Sequence, residues 1–180
     1  MPTKIPKFQS NEIFFILDLL TWIEKNLQPE NDQNIKNKFF RKRTAAAIIK
    51  SGFSVGCTDY AIVFQHLLQP YDIPNFYLET IHKKWLENKS NQNIIGHVFI
   101  KVIINNKELY IDPTFGCIYI SLASTPYIIA LESTNFPSSG LTNLKLLQKF
   151  CINFKKNWQK KNKTDKNNNC HTRLVRRSHL

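Results

Sequence analysis

The sequence predicts one α+β domain, a set of helices packed on an antiparallel sheet. Three observations carry that prediction. Three stretches before residue 70 read as helices. Two later runs alternate apolar and polar residues with a period of two and are joined only by Asn105 and Asn106. Finally, 42% of the 180 residues are hydrophobic, with 13 Phe, 6 Tyr and 3 Trp, which is apolar material for one real core in a chain whose length suits one domain.

Residues 10–27 are the first predicted helix, with Ser10 or Asn11 as N-cap and Ile13, Leu17, Leu20 and Ile23 at helical spacing. Residues 28–33, with Pro29, read as a loop. A second helix is expected over about 35–50, ending before Ser51-Gly52. Ser54-Val55-Gly56 is a short loop into the third helix, 57–68, which sets Cys57, Ala61, Phe64 and Leu68 along one face before Gln69-Pro70 closes it. Residues 75–81 read as a strand and 83–93 as a polar surface loop. In 97–104, Val98, Ile100, Val102 and Ile104 share one face. In 107–112, Leu109 and Ile111 share one face, with Tyr110 and Asp112 on the other. Asn tolerates the positive φ of a tight turn, so Asn105-Asn106 is expected to close a two-residue hairpin. Strand character returns in 117–122 and 127–131, residues 137–140 form a turn, and 141–154 suits a final helix.

A formal net charge of +12 raises nucleic acid or an anionic membrane surface as partners. The distribution of charge argues otherwise. Residues 155–180 hold nine Lys and Arg against one acid, Asp165, so this stretch carries +8 and the other 154 residues only +4. The domain is therefore set at 1–154, with 155–180 expected as a basic, disordered tail. Trp158 is the only aromatic residue after Phe154, so the tail offers no stacking platform for single strands, and nucleic acid is not an expected partner. Cys57, Cys117, Cys151 and Cys170 form no CxxC pair, and a chain of this length folds without disulfide staples. The apolar run at 13–20 is interrupted by Asp18, has no small-residue cleavage site and is far shorter than a membrane span. A soluble cytoplasmic protein with free thiols is expected. No cofactor motif or dedicated calcium loop is present, and no cofactor is expected.

The hairpin makes a geometric prediction. With a two-residue loop, Ile104 pairs with Lys107 and Phe99 lies opposite Asp112. His97, two residues from Phe99, then shares a face with Asp112 as its diagonal neighbour, roughly 7–8 Å away at the backbone and within side-chain reach. A slip of one residue would put the two on opposite faces. Such a pair serves a nucleophile, and Cys57 stands at a predicted helix start, where the helix N-terminus and an adjacent imidazolium both favour a thiolate. In this reading Cys57 attacks a carbonyl, His97 shuttles the proton and Asp112 fixes the ring tautomer. The backbone N–H of Cys57 is a natural oxyanion donor.

Gly56-Cys57-Thr58-Asp59-Tyr60-Ala61 resembles the nucleophile motif of the transglutaminase-like superfamily, in which a Cys opens a helix that runs on to a Gly-Ile-Pro type of turn. Tyr71-Asp72-Ile73-Pro74 matches that turn loosely. Gly96-His97-Val98-Phe99 resembles the histidine strand, and Tyr110-Ile111-Asp112-Pro113-Thr114 the strand ending in Asp-Pro-Thr. The three motifs arrive in the family's order over residues 44–116. Val98 and Phe99 stand where many members have Ala and Trp, and the turn before Ile73 lacks the usual glycine; both changes concern packing around the site. The resemblance implies a papain-like, transglutaminase-like core with a catalytic Cys57 at the start of a helix packed on the sheet that carries His97 and Asp112. It further implies acyl transfer at an amide of a peptide or protein, resolved by water in a thiol protease or amidase, or by an amine in a cross-linking transglutaminase, with deamidation as the related outcome.

Plainer readings stand beside these. Cys57 could be a core cysteine, His97 a satisfied strand histidine and Asp112 a turn residue before Pro113, but together they leave the hairpin spacing to coincidence. Cys117, Cys151 and Cys170 are read as structural, His66 and His82 as surface or helix residues, and His171 and His179 lie in the tail. Asp59 is read as support for the helix N-terminus. A metal held by Cys57, His97, Asp112 and Cys117 would match no common zinc spacing. Two rival functions are a silent transglutaminase-like module that binds a protein partner, and a basic nucleic-acid binder in which the three residues are incidental.

Overall fold

The structure, a computed structural model, describes residues 3–8 and 11–175, with side chains as far as Asn162. Ser10, the side chains of Cys170 and His171, His179 and the far end of the basic tail therefore lie outside what is described. Helix α1 (Glu12–Asn26) begins at Asn11, whose side chain accepts from the N–H groups of Ile13 and Phe14 at 2.9 and 3.1 Å. Its buried face is Phe15, Ile16, Leu19, Leu20, Trp22 and Ile23, while Ile13 and Leu17 of the predicted face are exposed. The segment is apolar on nearly every side, so local spacing could not choose the inward face, and packing against the later helix at Cys57 did.

Short strands β1 (Gln28–Pro29) and β2 (Phe53–Ser54) pair in parallel. Between them lie two helices, α2 (Gln33–Phe39) and α3 (Ala45–Ser51), in place of the single one predicted. Asp32 and Thr44 cap them. The break falls where Arg41 adopts φ 57° and both Arg41 and Arg43 turn inward to acids on other elements, Glu79 and Asp59. A continuous helix would not deliver both guanidinium groups to those partners. Gly52, at φ 70°, supplies the left-handed cap that ends α3.

Helix α4 (Cys57–Leu68) has the predicted bounds and buries Ala61, Phe64 and Leu68. The main sheet contains β3 (Asn75–His82), β4 (Gly96–Ile104), β5 (Lys107–Asp112), β6 (Cys117–Tyr119) and β7 (Tyr127–Ser133), antiparallel throughout in the order β6-β5-β4-β3-β7. Asn105 and Asn106 turn with φ of 50° and 61°, and Ile104 pairs with Lys107 as the hairpin argument requires. Val98, Ile100, Val102 and Ile104 form the main core with α1 and α4. The other face of the sheet carries Leu78 and Phe99.

The predicted polar loop at 83–93 contains α5 (Lys83–Glu87), whose Trp85 and Leu86 are buried. They pack, with Ile81, against Cys151 and Leu147 of α6 (Leu144–Val175). Order does not end at Phe154. Lys155 is buried, sits over the Trp85 ring at 4.2 Å and donates to the Ser90 carbonyl at 2.6 Å, while Gln159 donates to the Leu86 carbonyl at 2.7 Å. These residues read as a solvated tail because their partners are distant in sequence. Among the described residues no helix is long and apolar enough to cross a membrane.

Candidate active site

Cys57 is the first residue of α4 and is half-buried. The loop that presents it is held from two sides. Asp59, in the first turn of α4, accepts the Val55 N–H at 2.8 Å and pairs with Arg43. Arg43 in turn donates to Ser51 Oγ at 3.0 Å and the Phe53 carbonyl at 2.9 Å, with its guanidinium 4.5 Å from the Phe53 ring centre. Ser54 Oγ accepts the Gly56 N–H at 3.2 Å. Asp59 thus does more than favour a helix end: it is a buried tie between α4, α3 and the loop before Cys57.

His97 lies near the start of β4 and Asp112 ends β5. His97 Nε2 is 2.8 Å from Asp112 Oδ2, both side chains being buried. The other oxygen, Oδ1, accepts the N–H groups of Thr114 and Phe115 at 3.0 and 3.3 Å, so the turn after β5 fixes the carboxylate. With Nε2 engaged by Asp112, Nδ1 is the ring nitrogen left for Cys57, whose sulfur lies within electrostatic reach of the imidazole. Burial works against charge on this ring, but the hydrogen bond to Asp112 and the proximity of Cys57 outweigh it, and the His97 pKa is pushed up from 6.5 to about 9. Phe99, Phe115 and Tyr127 surround the ring with centroids 5.0, 5.6 and 5.5 Å away. Thr80 Oγ1 donates to the His97 carbonyl at 2.9 Å, fixing the strand beneath it. The three predicted residues are thus brought together at one end of the sheet.

Cys57 and His97 line a cleft of about 680 Å³ bounded by the start of α4, strands β3 and β4, the 91–94 loop and α6, with Asp112 behind His97. Its lining includes a second buried group that sequence reasoning missed: Arg41 Nη2 meets Glu79 Oε1 at 2.5 Å, and Tyr77 donates to the same oxygen at 2.7 Å. The signal was a lone acid, Glu79, in the otherwise uncharged 77–81 strand, since a buried charge demands a partner. Cys151 also lines the cleft but is buried, and burial first of all pushes its thiol up to about 12. Cys117 sits across the ladder from Asp112 and donates to the Phe115 carbonyl at 3.4 Å. His66 is exposed beside Gln69, and His82 caps α5 by accepting the Lys84 N–H at 3.1 Å. Among the described residues no group of three His, Cys, Asp or Glu is placed to hold a metal ion.

Residues 4–123 match the profile of a family described as "Transglutaminase-like domain". Among solved structures, a protein from Cytophaga hutchinsonii described as a candidate cysteine protease is similar, with 17% identity and a TM-score of 0.45 over 66% of this chain and 40% of that one. The chain thus spans less than half the length of that protein. No curated protein matches the sequence.

Proposed function

The chain belongs to the transglutaminase-like domain family, and on that premise we propose that it is a cysteine-dependent acyl-transfer enzyme with Cys57, His97 and Asp112 as its catalytic residues. The reaction opens an amide bond of a peptide or protein, and water completes it, making the enzyme a thiol hydrolase on a papain-like plan. One observation carries the reading: a buried His97 bound to Asp112 through Nε2 lines the same cleft as Cys57, which stands at a helix start. A His97 imidazolium and the N-terminus of α4 both favour negative charge at the position Cys57 occupies.

The sulfur attacks the amide carbonyl carbon, forming a C–S bond, and the oxygen takes the negative charge at the N-terminus of α4. His97 then delivers its proton to the departing nitrogen as the C–N bond breaks, leaving a thioester and a neutral imidazole. His97 next takes a proton from water, whose oxygen adds to the thioester carbonyl. Collapse expels the sulfur, and a carboxylic acid leaves. Throughout, Asp112 keeps Nε2 protonated, so that Nδ1 is the atom that moves the proton.

The test is acyl-enzyme trapping. A pool of peptide amides and esters is mixed with the protein, quenched in acid and read by intact mass. Mass added at Cys57, released by hydroxylamine and absent from Cys57→Ala, supports the reading. Turnover that persists in Cys57→Ala contradicts it.

A further inference from the structure

Apart from the residues assigned to the chemistry, the only charged side chains on the described lining of the cleft are Arg41 and Glu79, and they are paired. Each is 4% exposed. Arg41 also donates through Nη1 to the Leu141 carbonyl at 3.0 Å, and its guanidinium lies within electrostatic reach of Cys57. The remaining walls are neutral, with Ile94 and Leu147 among them. β3, which carries Glu79, is hydrogen-bonded on both sides by β4 and β7 and does not need an ion pair to hold its place. A buried ion pair stabilises a fold little compared with a well-packed apolar pair, so one kept beside a nucleophile calls for another role.

We infer that Arg41 and Glu79 are specificity-determining residues that set the charge of the acyl subsite: it accepts an uncharged side chain on the residue bearing the scissile carbonyl and rejects acidic and basic ones. The inference rests on Cys57 being the nucleophile. The pair sums to zero; Arg41 Nη1 and Nη2 are engaged by Leu141 and Glu79, and Nε, though without a partner, is itself buried. An ammonium group entering the cleft meets the Arg41 cation with no unpaired carboxylate to receive it. A carboxylate meets Glu79 with both terminal nitrogens of the guanidinium already engaged and Nε buried. Either would lose its water without gaining a partner, whereas a neutral side chain leaves the pair undisturbed.

The probes are the chloromethyl ketones of N-acetyl-norleucine, N-acetyl-glutamate and N-acetyl-lysine, applied to the full chain with alkylation of Cys57 read by mass spectrometry. Each rate is divided by that of the same reagent with free N-acetylcysteine, which removes intrinsic reactivity. The wild type is expected to take the norleucine reagent at least about tenfold faster than either charged one. Glu79→Gln leaves a net positive subsite, so the glutamate reagent should gain about tenfold or more relative to norleucine; Arg41→Gln should do the same for the lysine reagent. A merely structural role would slow all three reagents alike. A wild type that does not separate the reagents overturns the inference, and so does either variant if circular dichroism shows it folded and its ratios are unchanged. Iodoacetamide labelling in parallel separates the two levels. If Cys57 reacts no faster than Cys151, the nucleophile reading fails as well; if it reacts fast while the three reagents stay equal, only the specificity inference fails.

Discussion

Replacing Asp112 with Asn changes one oxygen of the site and leaves the shape. Oδ1 still accepts the N–H groups of Thr114 and Phe115, so the turn keeps its ties. The atom facing His97 Nε2 becomes a neutral amide and no longer rewards a proton there. In the wild type that histidine is raised from 6.5 to about 9, a difference worth on the order of 3 kcal/mol between its two protonation states. The sign follows from linkage. A raised pKa means the folded state holds a proton the unfolded chain has released, so this contribution is fully present below pH 6.5 and is lost as pH climbs through 9. Across that window the folding free energy should fall by up to about 1.4 kcal/mol per pH unit from this group alone. Asp112→Asn should flatten the slope, because among the groups around the ring the hydrogen bond to Asp112 does most to raise the pKa. Urea unfolding of both proteins at half-unit steps from pH 6 to 9.5 measures it, and taking the difference removes every group the two share. Parallel curves would refute the assignment of the raised histidine to Asp112.

Two further expectations concern the frame. Asp59→Ala strands the buried Arg43 and frees the Val55 N–H, and should cost about 3–5 kcal/mol in urea unfolding; a cost below about 1 kcal/mol would mean the tie does not hold the loop before Cys57. A chain ending at Phe154 loses the Lys155 and Gln159 anchors and the Trp158 packing, whereas one ending at Asn162 keeps them. The shorter chain should therefore be less stable by about 2 kcal/mol or more and melt roughly 4–8 °C lower; equal melting would contradict the packing of α6 on α5.

What could be read from the chain alone was what depended on local spacing. The Asn105-Asn106 turn set the hairpin pairing, and that pairing put His97 and Asp112 on one face before any partner was known. The start of α4 was legible because Gly56 and Gln69-Pro70 bracket it. The features that were not legible depend on distant partners. Arg41 and Arg43 look like surface cations until Glu79 and Asp59 are brought to them, and their inward turn is what splits 35–50 into two helices. Trp85 and Leu86 sit in a polar stretch and are buried only once α6 and the sheet edge at Ile81 and Ile128 are brought to them. In α1, apolar residues on both sides left the choice of face to packing.

The central claim is that Cys57 is an activated thiol that depends on His97. The most direct measurement is the rate of iodoacetamide labelling at mildly acidic pH, mapped by mass spectrometry in the wild type and His97→Ala. Cys57 should label at least about tenfold faster than Cys117 and Cys151 in the wild type, and that advantage should be lost in His97→Ala. A Cys57 that reacts no faster than Cys151, or one whose rate is untouched by the loss of His97, would contradict the account.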